Sequence, residues 1–245
     1  MSHPSLSHTI WLEPQQAAFV YLPKVACTSW KLFFARALAL PFSKGLSYGQ
    51  VHAHDCLPLP YVASMPNEDK QRFLAQLAAT EIELFAVVRD PRQRILSAYL
   101  DKIALHRNPD SFFSRQVLPA IQVHAGIAAS QRPSFEQFLA WLASPPTPLT
   151  QNDHWLPMVN LLGLAGPEPL PVTAYARFWS MEDLTGASDY FRTLLAVEEP
   201  FPGSEALGPR PSTGSAQLVT SQFIPAVDLL FEPLYGLDLK LYRNL

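Results

Sequence analysis

Basic and hydroxyl side chains cluster at a place where a buried strand is expected to pass into a helix. In the stretch Pro23–Lys31 (PKVACTSWK), Lys24 is followed by Thr28 and Ser29. The start of a helix offers unpaired backbone N–H groups and the positive end of the helix dipole, which together bind anions. Lys24 adds a full positive charge, and the two hydroxyls add donors. The stretch therefore predicts an anion-binding loop, with an ordinary turn carrying a surface lysine as the alternative.

A second basic stretch, RDPRQRILSAY, begins at Arg89, the last residue of another expected strand. Open α/β sheets bind ligands at the carboxyl ends of their strands. On the helix that follows, Arg94 and Ser97 are three residues apart and share one face. A guanidinium fork suits phosphate, and cations at a helix start oppose the helix dipole unless an anion is bound. A solvated basic helix start is the alternative, but the two stretches together favour an anionic ligand.

Two histidines between these stretches are candidates for a general base. His52 and His54 alternate in the string VHAHD, and histidine is the usual group to take a hydroxyl proton near neutral pH. On an extended segment alternate residues point the same way, so both rings are expected to face one cleft, with Asp55 orienting one of them. His154, in the string NDHW, is a third candidate. We rank His54 first, His52 second and His154 third, with solvated or capping histidines as the alternative.

Composition limits the kind of protein that these residues serve. Of the 245 residues, 48% are hydrophobic and 16% charged, which excludes a disordered chain and a coiled coil. The 18 Lys+Arg against 21 Asp+Glu give a net charge of −3, so we expect no nucleic-acid partner. Two cysteines, Cys27 and Cys56, exclude a disulfide scaffold and a four-cysteine zinc site, and we expect both thiols to be reduced. We find no metal-ligand cluster.

Targeting and membrane signals are not visible in the chain. The first thirty residues lack a basic start followed by an uninterrupted apolar core, as a signal peptide would need. The longest apolar helix candidate, Trp30–Leu40, carries Lys31 and Arg36 and is too short to span a bilayer. We therefore expect a soluble, cytoplasmic protein without a transmembrane segment.

Short apolar strands alternate with amphipathic helices along the chain. Strands are expected at Ala17–Leu22, Glu83–Arg89 and Val172–Phe178. Helices are expected at Thr28–Leu40, from Asn67, from Pro91 to Leu105, from Ser134, at Glu182–Leu195 and at Ala216–Tyr235. This alternation implies a parallel sheet with right-handed crossovers. We predict an α/β fold in a single domain over residues 1–245, with a loop over 41–66 and a flexible tail over 1–16.

The two basic stretches resemble the 5′-phosphosulfate and 3′-phosphate motifs of the sulfotransferases. The likeness is to sulfotransferase family 2, the carbohydrate sulfotransferases, in which a PKVACT-x-WK loop precedes an RDP-x-x-R-x-x-SAY helix. The string NDHWLP resembles an NEHW-x-P element, and VHAHD resembles the H-x-H element of some uronyl-type members. The resemblance covers roughly residues 17 to 240. It implies the sulfotransferase fold, a P-loop-like three-layer arrangement with a central parallel sheet flanked by helices.

The activity that the resemblance implies is sulfuryl transfer from 3′-phosphoadenosine 5′-phosphosulfate (PAPS) to a hydroxyl, by in-line displacement with a histidine base. The residues implied to bind PAPS are Pro23, Lys24, Val25, Ala26, Cys27, Thr28, Ser29, Trp30, Arg89 and Ser97. Lys24 would also offset the charge that grows on the leaving phosphate. No metal would be required, because lysine, arginine and backbone dipoles supply the positive charge.

Departures from the family pattern bear on the acceptor. The cysteines that many animal members carry after HWLPM, and the amino-terminal anchor of the Golgi members, are missing, which indicates a soluble, bacterial relative. The resemblance favours a glycan or glycoconjugate acceptor; a lipid, a peptide tyrosine or a small alcohol stays open, as does the oligomeric state. Pro211–Ser215 lies where family members place a late nucleotide contact, with a plain loop as the alternative.

Two other functions compete with this interpretation. A P-loop kinase shares the strand–loop–helix layout but needs G-x-x-x-x-G-K-[ST], and residues 22–44 contain no glycine. A non-catalytic nucleotide-binding module would keep the same anion-binding stretches. Acceptor-dependent release of 3′,5′-bisphosphoadenosine separates an enzyme from such a module.

Overall fold

The computed structural model describes residues 3–42, 46–203 and 213–245. These residues form two compact units. The first unit contains the described residues of 1–89 and 158–211 together with Leu245. The second unit contains the described residues of 90–157 and 212–244.

A four-stranded sheet is the centre of the first unit. Its strands are β1 (Thr9–Leu12), β2 (Ala17–Val20), β3 (Glu83–Val88) and β4 (Tyr175–Ser180), in that order across the sheet. β2 pairs with β3, and β3 with β4, in parallel, whereas β1 pairs antiparallel with β2. The predicted α/β class is confirmed, and the sheet consists of three parallel strands with an antiparallel strand at one edge.

β1 lies in the segment for which the sequence predicts a flexible tail. Its four residues are all buried, and 3₁₀-helices at Leu6–His8 and Glu13–Gln15 flank it. The edge of β1 is covered, because Trp11 N–H donates to the Pro60 carbonyl (3.0 Å) and Ile10 bridges to Tyr61. Burial on both faces removes the polar alternation by which an edge strand is recognised in a sequence. Residues 1 and 2 lie outside the described part.

α-Helices occur in both units. In chain order the described residues contain α1 (Cys27–Ala37), α2 (Tyr48–Val51), α3 (Asn67–Ala78), α4 (Pro91–Tyr99), α5 (Leu118–Ala125), α6 (Phe135–Leu142), α7 (Met158–Leu161), α8 (Leu184–Leu195), α9 (Ser215–Gln222) and α10 (Pro225–Arg243). None of these helices is long and apolar enough to cross a membrane.

Helices cover both faces of the sheet in the first unit. Phe19 of β2 contacts Trp30 of α1 and Phe191 of α8, with ring centroids 4.7 and 5.3 Å apart. On the opposite face, Trp11 of β1 contacts Phe73 of α3 at 5.6 Å. Because side chains alternate between the faces of a sheet, these contacts make three layers, as expected for the predicted fold.

The predicted strands occur with shifted ends. β2 is two residues shorter than the expected Ala17–Leu22, and β3 ends one residue before Arg89. The third strand was expected at Val172–Phe178, but Val172–Ala174 form a 3₁₀-helix and β4 starts at Tyr175.

Two helical regions differ from their predictions. The expected helix Ala216–Tyr235 is two helices, because Ile224 is extended (φ −76°, ψ 162°) before Pro225, as the residue preceding a proline prefers. The expected loop over 41–66 contains α2, which begins with a capping box between Ser47 and Gln50. Residues 43–45 of this loop, and residues 204–212 further along the chain, lie outside the described part.

The second unit is helical in its described residues. Asp90 caps α4, since its carboxylate accepts from the Gln93 N–H (3.0 Å). α4 continues into a π-helix at Leu100–Ala104. The core of this unit includes Phe138, Leu139, Trp155, Phe231 and Tyr235.

Trp30 should be required for stability because it anchors α1 in the aromatic core of the first unit. We expect Trp30→Ala to lower the free energy of unfolding by about 3–5 kcal/mol, through lost burial and an unfilled cavity. Trp30→Phe keeps a ring in the same place and should lose clearly less. Urea denaturation measures both; equal stability of Trp30→Ala and the unsubstituted protein would contradict this packing.

Candidate functional site

The candidate loop connects β2 to α1 through Pro23, Lys24, Val25 and Ala26. Lys24 and Ala26 have positive φ angles, 68° and 50°. Non-glycine residues in this left-handed region cost on the order of 1–3 kcal/mol each, and such strain concentrates at functional sites. No side chain caps the start of α1, so its first backbone N–H groups are open to an external acceptor. The loop therefore has the features of an anion site without glycine.

Arg89 joins the second basic stretch to this loop. Its Nη1 donates to the Lys24 carbonyl at 3.0 Å. The contact follows from the parallel pairing of β2 and β3, in which Val20 aligns with Ala86. Because the strands are parallel, both end at the same edge of the sheet. Two basic residues selected from the sequence 65 positions apart are thus brought together in the first unit.

Three residues that the resemblance assigns to PAPS are buried. Pro23 and Val25 are buried, and Trp30 is completely buried among aromatic rings. The Trp30 N–H donates within α1 to the Ala26 carbonyl (3.0 Å). The Trp30 side chain therefore faces the core, and the assignment of this residue to the ligand stays a prediction. These residues shape the loop, whereas Lys24, Ala26, Cys27, Thr28 and Ser29 keep partial exposure.

Lys31 is a charged residue at the site that sequence reasoning does not select. Its side chain is only 2% exposed, and its Nζ lies over the rings of Tyr21 and Tyr61, 4.3 and 5.3 Å from their centroids. Burial lowers the pKa of Lys31 from 10.5 to about 8, with Cys27 opposing the change. The sequence signal that could have identified Lys31 is its position three residues after Thr28, because residues at this spacing lie on the same face of a helix.

His52 lies directly between Lys31 and the loop. Its Nδ1 is 3.3 Å from Lys31 Nζ, and its Nε2 is 3.1 Å from Thr28 Oγ1. His52 ends α2 with a helical backbone (φ −94°, ψ −6°). The extended segment expected around the two histidines is therefore corrected: a helix end and a turn carry them.

His54 lies near His52 but contacts other residues, Ser64 and Tyr61. Its Nδ1 bonds the Ser64 hydroxyl (2.8 Å), and its ring stacks on Tyr61, with centroids 3.9 Å apart. Burial and then the charge of Lys31 lower the pKa of His54, while Asp55 raises it. His54 is consequently held in the neutral form that a proton acceptor needs.

Tyr61 contacts both His54 and Lys31. It is buried, and its hydroxyl has no hydrogen-bond partner among the described residues. Burial, and then Cys27, raise the pKa of Tyr61. The phenol therefore stays protonated and cannot neutralise the lysine beside it.

Ser97 and His154 lie in the second unit. Ser97 is buried, and its hydroxyl is 3.3 Å from that of Thr213; Pro211 and Ser212 of that loop lie outside the described residues. His154 Nδ1 is 2.8 Å from Asn152 Oδ1, and its ring contacts Phe113 edge-on. The roles assigned to Ser97 and His154 stay predictions.

Arg94 has a structural role in the second unit. It is almost fully buried and donates to the carbonyls of Leu156 (2.8 Å) and Asp153 (3.0 Å). The basic stretch after Arg89 therefore uses one of its arginines to hold the NDHW segment against α4.

Both cysteines of the chain lie among the described residues. Cys27 and Cys56 are both free thiols. In the described part of the chain, no group of three or more His, Cys, Asp or Glu side chains is arranged to hold a metal ion.

A family model described as Sulfotransferase family matches residues 7–243. The chain is similar to carbohydrate sulfotransferase 14 of Homo sapiens, 26% identical over 164 residues, which is 64% of this chain and 39% of that protein. It is also similar to carbohydrate sulfotransferase 11 of Rattus norvegicus, 28% identical over 167 residues, covering 64% and 45%. The matches span less than half the length of these relatives. No solved structure matches significantly.

Lys31→Met should stabilise the protein, because it removes a buried charge. The difference between the ordinary pKa of 10.5 and about 8 corresponds to a burial cost on the order of 3 kcal/mol. Between these pH values the unfolded chain holds a proton on Lys31 that the folded protein has released, so the stability of the unsubstituted protein rises with pH. Lys31→Met should be more stable at pH 7, and the gap should narrow from pH 8 upward.

Urea denaturation of both proteins at several pH values measures this gap. The exposed Lys240 supplies the control, since Lys240→Met should change stability little at any pH. A destabilised Lys31→Met, or a gap that does not depend on pH, would contradict the buried-charge interpretation.

Proposed function

The chain belongs to the sulfotransferase family, and from that premise we propose that it transfers a sulfuryl group from PAPS to a hydroxyl of a carbohydrate. The hydrogen bond from Arg89 to the Lys24 carbonyl carries the proposal, because it places Arg89 beside the Lys24 loop at one edge of the sheet. A strained loop at an uncapped helix start is suited to an anion. The curated relatives supply the acceptor class through their names.

The donor set fits the chemistry of a phosphosulfate. Lys24, Thr28 and Ser29 are partly exposed and offer an ammonium and two hydroxyls beside the backbone N–H groups of α1. Arg89 offers a planar guanidinium, which binds phosphate oxygens in pairs. We propose that the loop holds the 5′-phosphosulfate and that Arg89 holds the 3′-phosphate.

Positioning and charge carry the proposed mechanism. PAPS supplies an activated sulfuryl group and a phosphate that leaves. Lys24 and the N–H groups of α1 offset negative charge in the loop, and fixed donors of this kind act without reorganising during the reaction. The displacement is in-line, as in phosphoryl transfer, and the protein contributes alignment more than covalent chemistry.

His54 is the proposed general base. A base must be neutral before it accepts a proton, and burial together with the charge of Lys31 lowers the pKa of His54. Its Nδ1 contact with Ser64 (2.8 Å) fixes the ring, which leaves Nε2 to take the acceptor proton. His52 instead has contacts at both ring nitrogens, which favours His54 over it.

The acceptor is proposed as a glycan without dense sulfation. The chain has only 18 Lys+Arg and a net charge of −3, whereas a highly sulfated polyanion would call for an extended basic surface. Unsulfated glycans are therefore the first acceptors to screen.

Calorimetric titration with 3′,5′-bisphosphoadenosine tests the donor site. We expect binding that is selective over ATP and AMP and that weakens about 10- to 100-fold in Arg89→Ala, since a charge-assisted hydrogen bond is lost. Lys24→Ala should weaken binding as well. Arg243, which is exposed, supplies the control Arg243→Ala. Absent binding, or equal binding of ATP, would remove the sulfotransferase proposal.

His54→Ala tests the base separately from the donor site. Release of 3′,5′-bisphosphoadenosine from PAPS in the presence of an unsulfated glycan panel should fall about 10²- to 10⁴-fold, as for loss of a general base, while bisphosphoadenosine still binds. The exposed His124 gives the control His124→Ala. Undiminished turnover in His54→Ala would exclude this assignment, and binding without any release in the unsubstituted protein would indicate a nucleotide-binding module.

A further inference from the structure

Lys31, His52 and Thr28 form a chain of polar contacts that ends at the candidate loop. Lys31 Nζ is 3.3 Å from His52 Nδ1, and His52 Nε2 is 3.1 Å from Thr28 Oγ1. Thr28 is in the first turn of α1, next to the strained residues of the loop. The chain therefore leads from a buried ammonium to a hydroxyl at the place where an anion is expected.

Lys31 determines which atom donates in each hydrogen bond of this chain. An ammonium has three donors and no acceptor, so Lys31 donates to Nδ1 of His52. A neutral imidazole that accepts at Nδ1 carries its proton on Nε2, and the ring then donates to Thr28 Oγ1. Because that oxygen accepts from His52, the Thr28 hydroxyl proton is available to a third group.

We propose that Lys31 is a positioning residue, which fixes the Nε2–H form of His52 and so keeps the Thr28 hydroxyl proton directed to an anionic ligand of the loop. The ligand is the phosphosulfate end of PAPS, and in this respect the inference rests on the proposed function. Lys31 acts through His52 and Thr28 and does not itself touch the ligand. Nothing in the family match assigns this lysine a role.

The surroundings of Lys31 support a fixed, protonated donor. Nζ is enclosed by the faces of Tyr21 and Tyr61, which attract a cation and restrict its position. With a pKa of about 8, Lys31 is mainly protonated at neutral pH. The titratable groups that face it are the two tyrosines together with Cys27, His52 and His54. Burying this charge costs stability, and an apolar residue of similar size would pack equally well at this position. The buried charge is therefore better explained by a functional role than by a contribution to stability.

The tautomer of His52 can be measured in the free protein. At pH 7, a two-bond ¹H–¹⁵N correlation spectrum should show His52 protonated on Nε2, with Nδ1 bare. In Lys31→Met the ring should lose this preference or become doubly protonated, whereas Lys240→Met should leave it unchanged. A proton on His52 Nδ1 in the unsubstituted protein would overturn the proposal whatever the variants do.

A double-mutant cycle tests whether Lys31 acts through Thr28. Thr28→Val removes the hydroxyl and should weaken binding of 3′,5′-bisphosphoadenosine about tenfold or more, as for loss of a bond to a charged group. Lys31→Met should weaken it several-fold, and the double variant should bind no more weakly than Thr28→Val alone. Lys31→Arg, which keeps a donor, should restore part of the affinity. Additive losses, or undiminished binding by Lys31→Met, would overturn the proposal.

The two measurements separate this inference from the proposed function. If the unsubstituted protein does not bind bisphosphoadenosine, the proposed function fails, while the His52 spectrum still decides whether Lys31 sets the tautomer. If bisphosphoadenosine binds but the cycle is additive, the donor site stands and the role of Lys31 is wrong.

Discussion

The parallel pairing of β2 with β3 is the constraint on which the candidate site depends. Because parallel strands leave a sheet at the same edge, the pairing places the loop after β2 beside Arg89 after β3, where Arg89 bonds the Lys24 carbonyl. The aromatic packing of Phe19 against Trp30 then fixes the angle at which α1 starts. The loop and the first turn of α1 take their positions from this strand pairing and this ring contact.

The first unit combines backbone strain with buried charge at the same place. Lys24 and Ala26 hold left-handed conformations that glycine would adopt without strain, and Lys31 keeps an ammonium out of water a few residues later. Each of these two features lowers the stability of the folded protein and adds no stabilising contact of its own that offsets the loss. Their coincidence at the start of one helix fits a site in which stability is given up for a fixed arrangement of donors.

Local signals allowed the central part of this fold to be predicted from sequence. β2, β3 and the starts of α1 and α4 were predictable because an apolar run or an Asp-Pro cap is readable within a few residues. β1 was not, since its burial arises from pairing with β2 and from cover by residues 60–61, which are distant in sequence. The site, too, could be predicted only in part. Lys24 and Arg89 lie in recognisable motifs, whereas the contact of Lys31 with His52 depends on how α2 ends.

The division into units has a consequence for how the chain is made. The first unit needs β4, which ends at Ser180, to complete its sheet, and the second needs α9 and α10 from the last part of the chain. Neither unit is a continuous segment, so on the ribosome the early strands must wait, with apolar surface exposed, until most of the polypeptide has emerged. Synthesis from the amino terminus thus leaves β2 and β3 without β4 beside them for a long interval, and no single cut can release either unit intact.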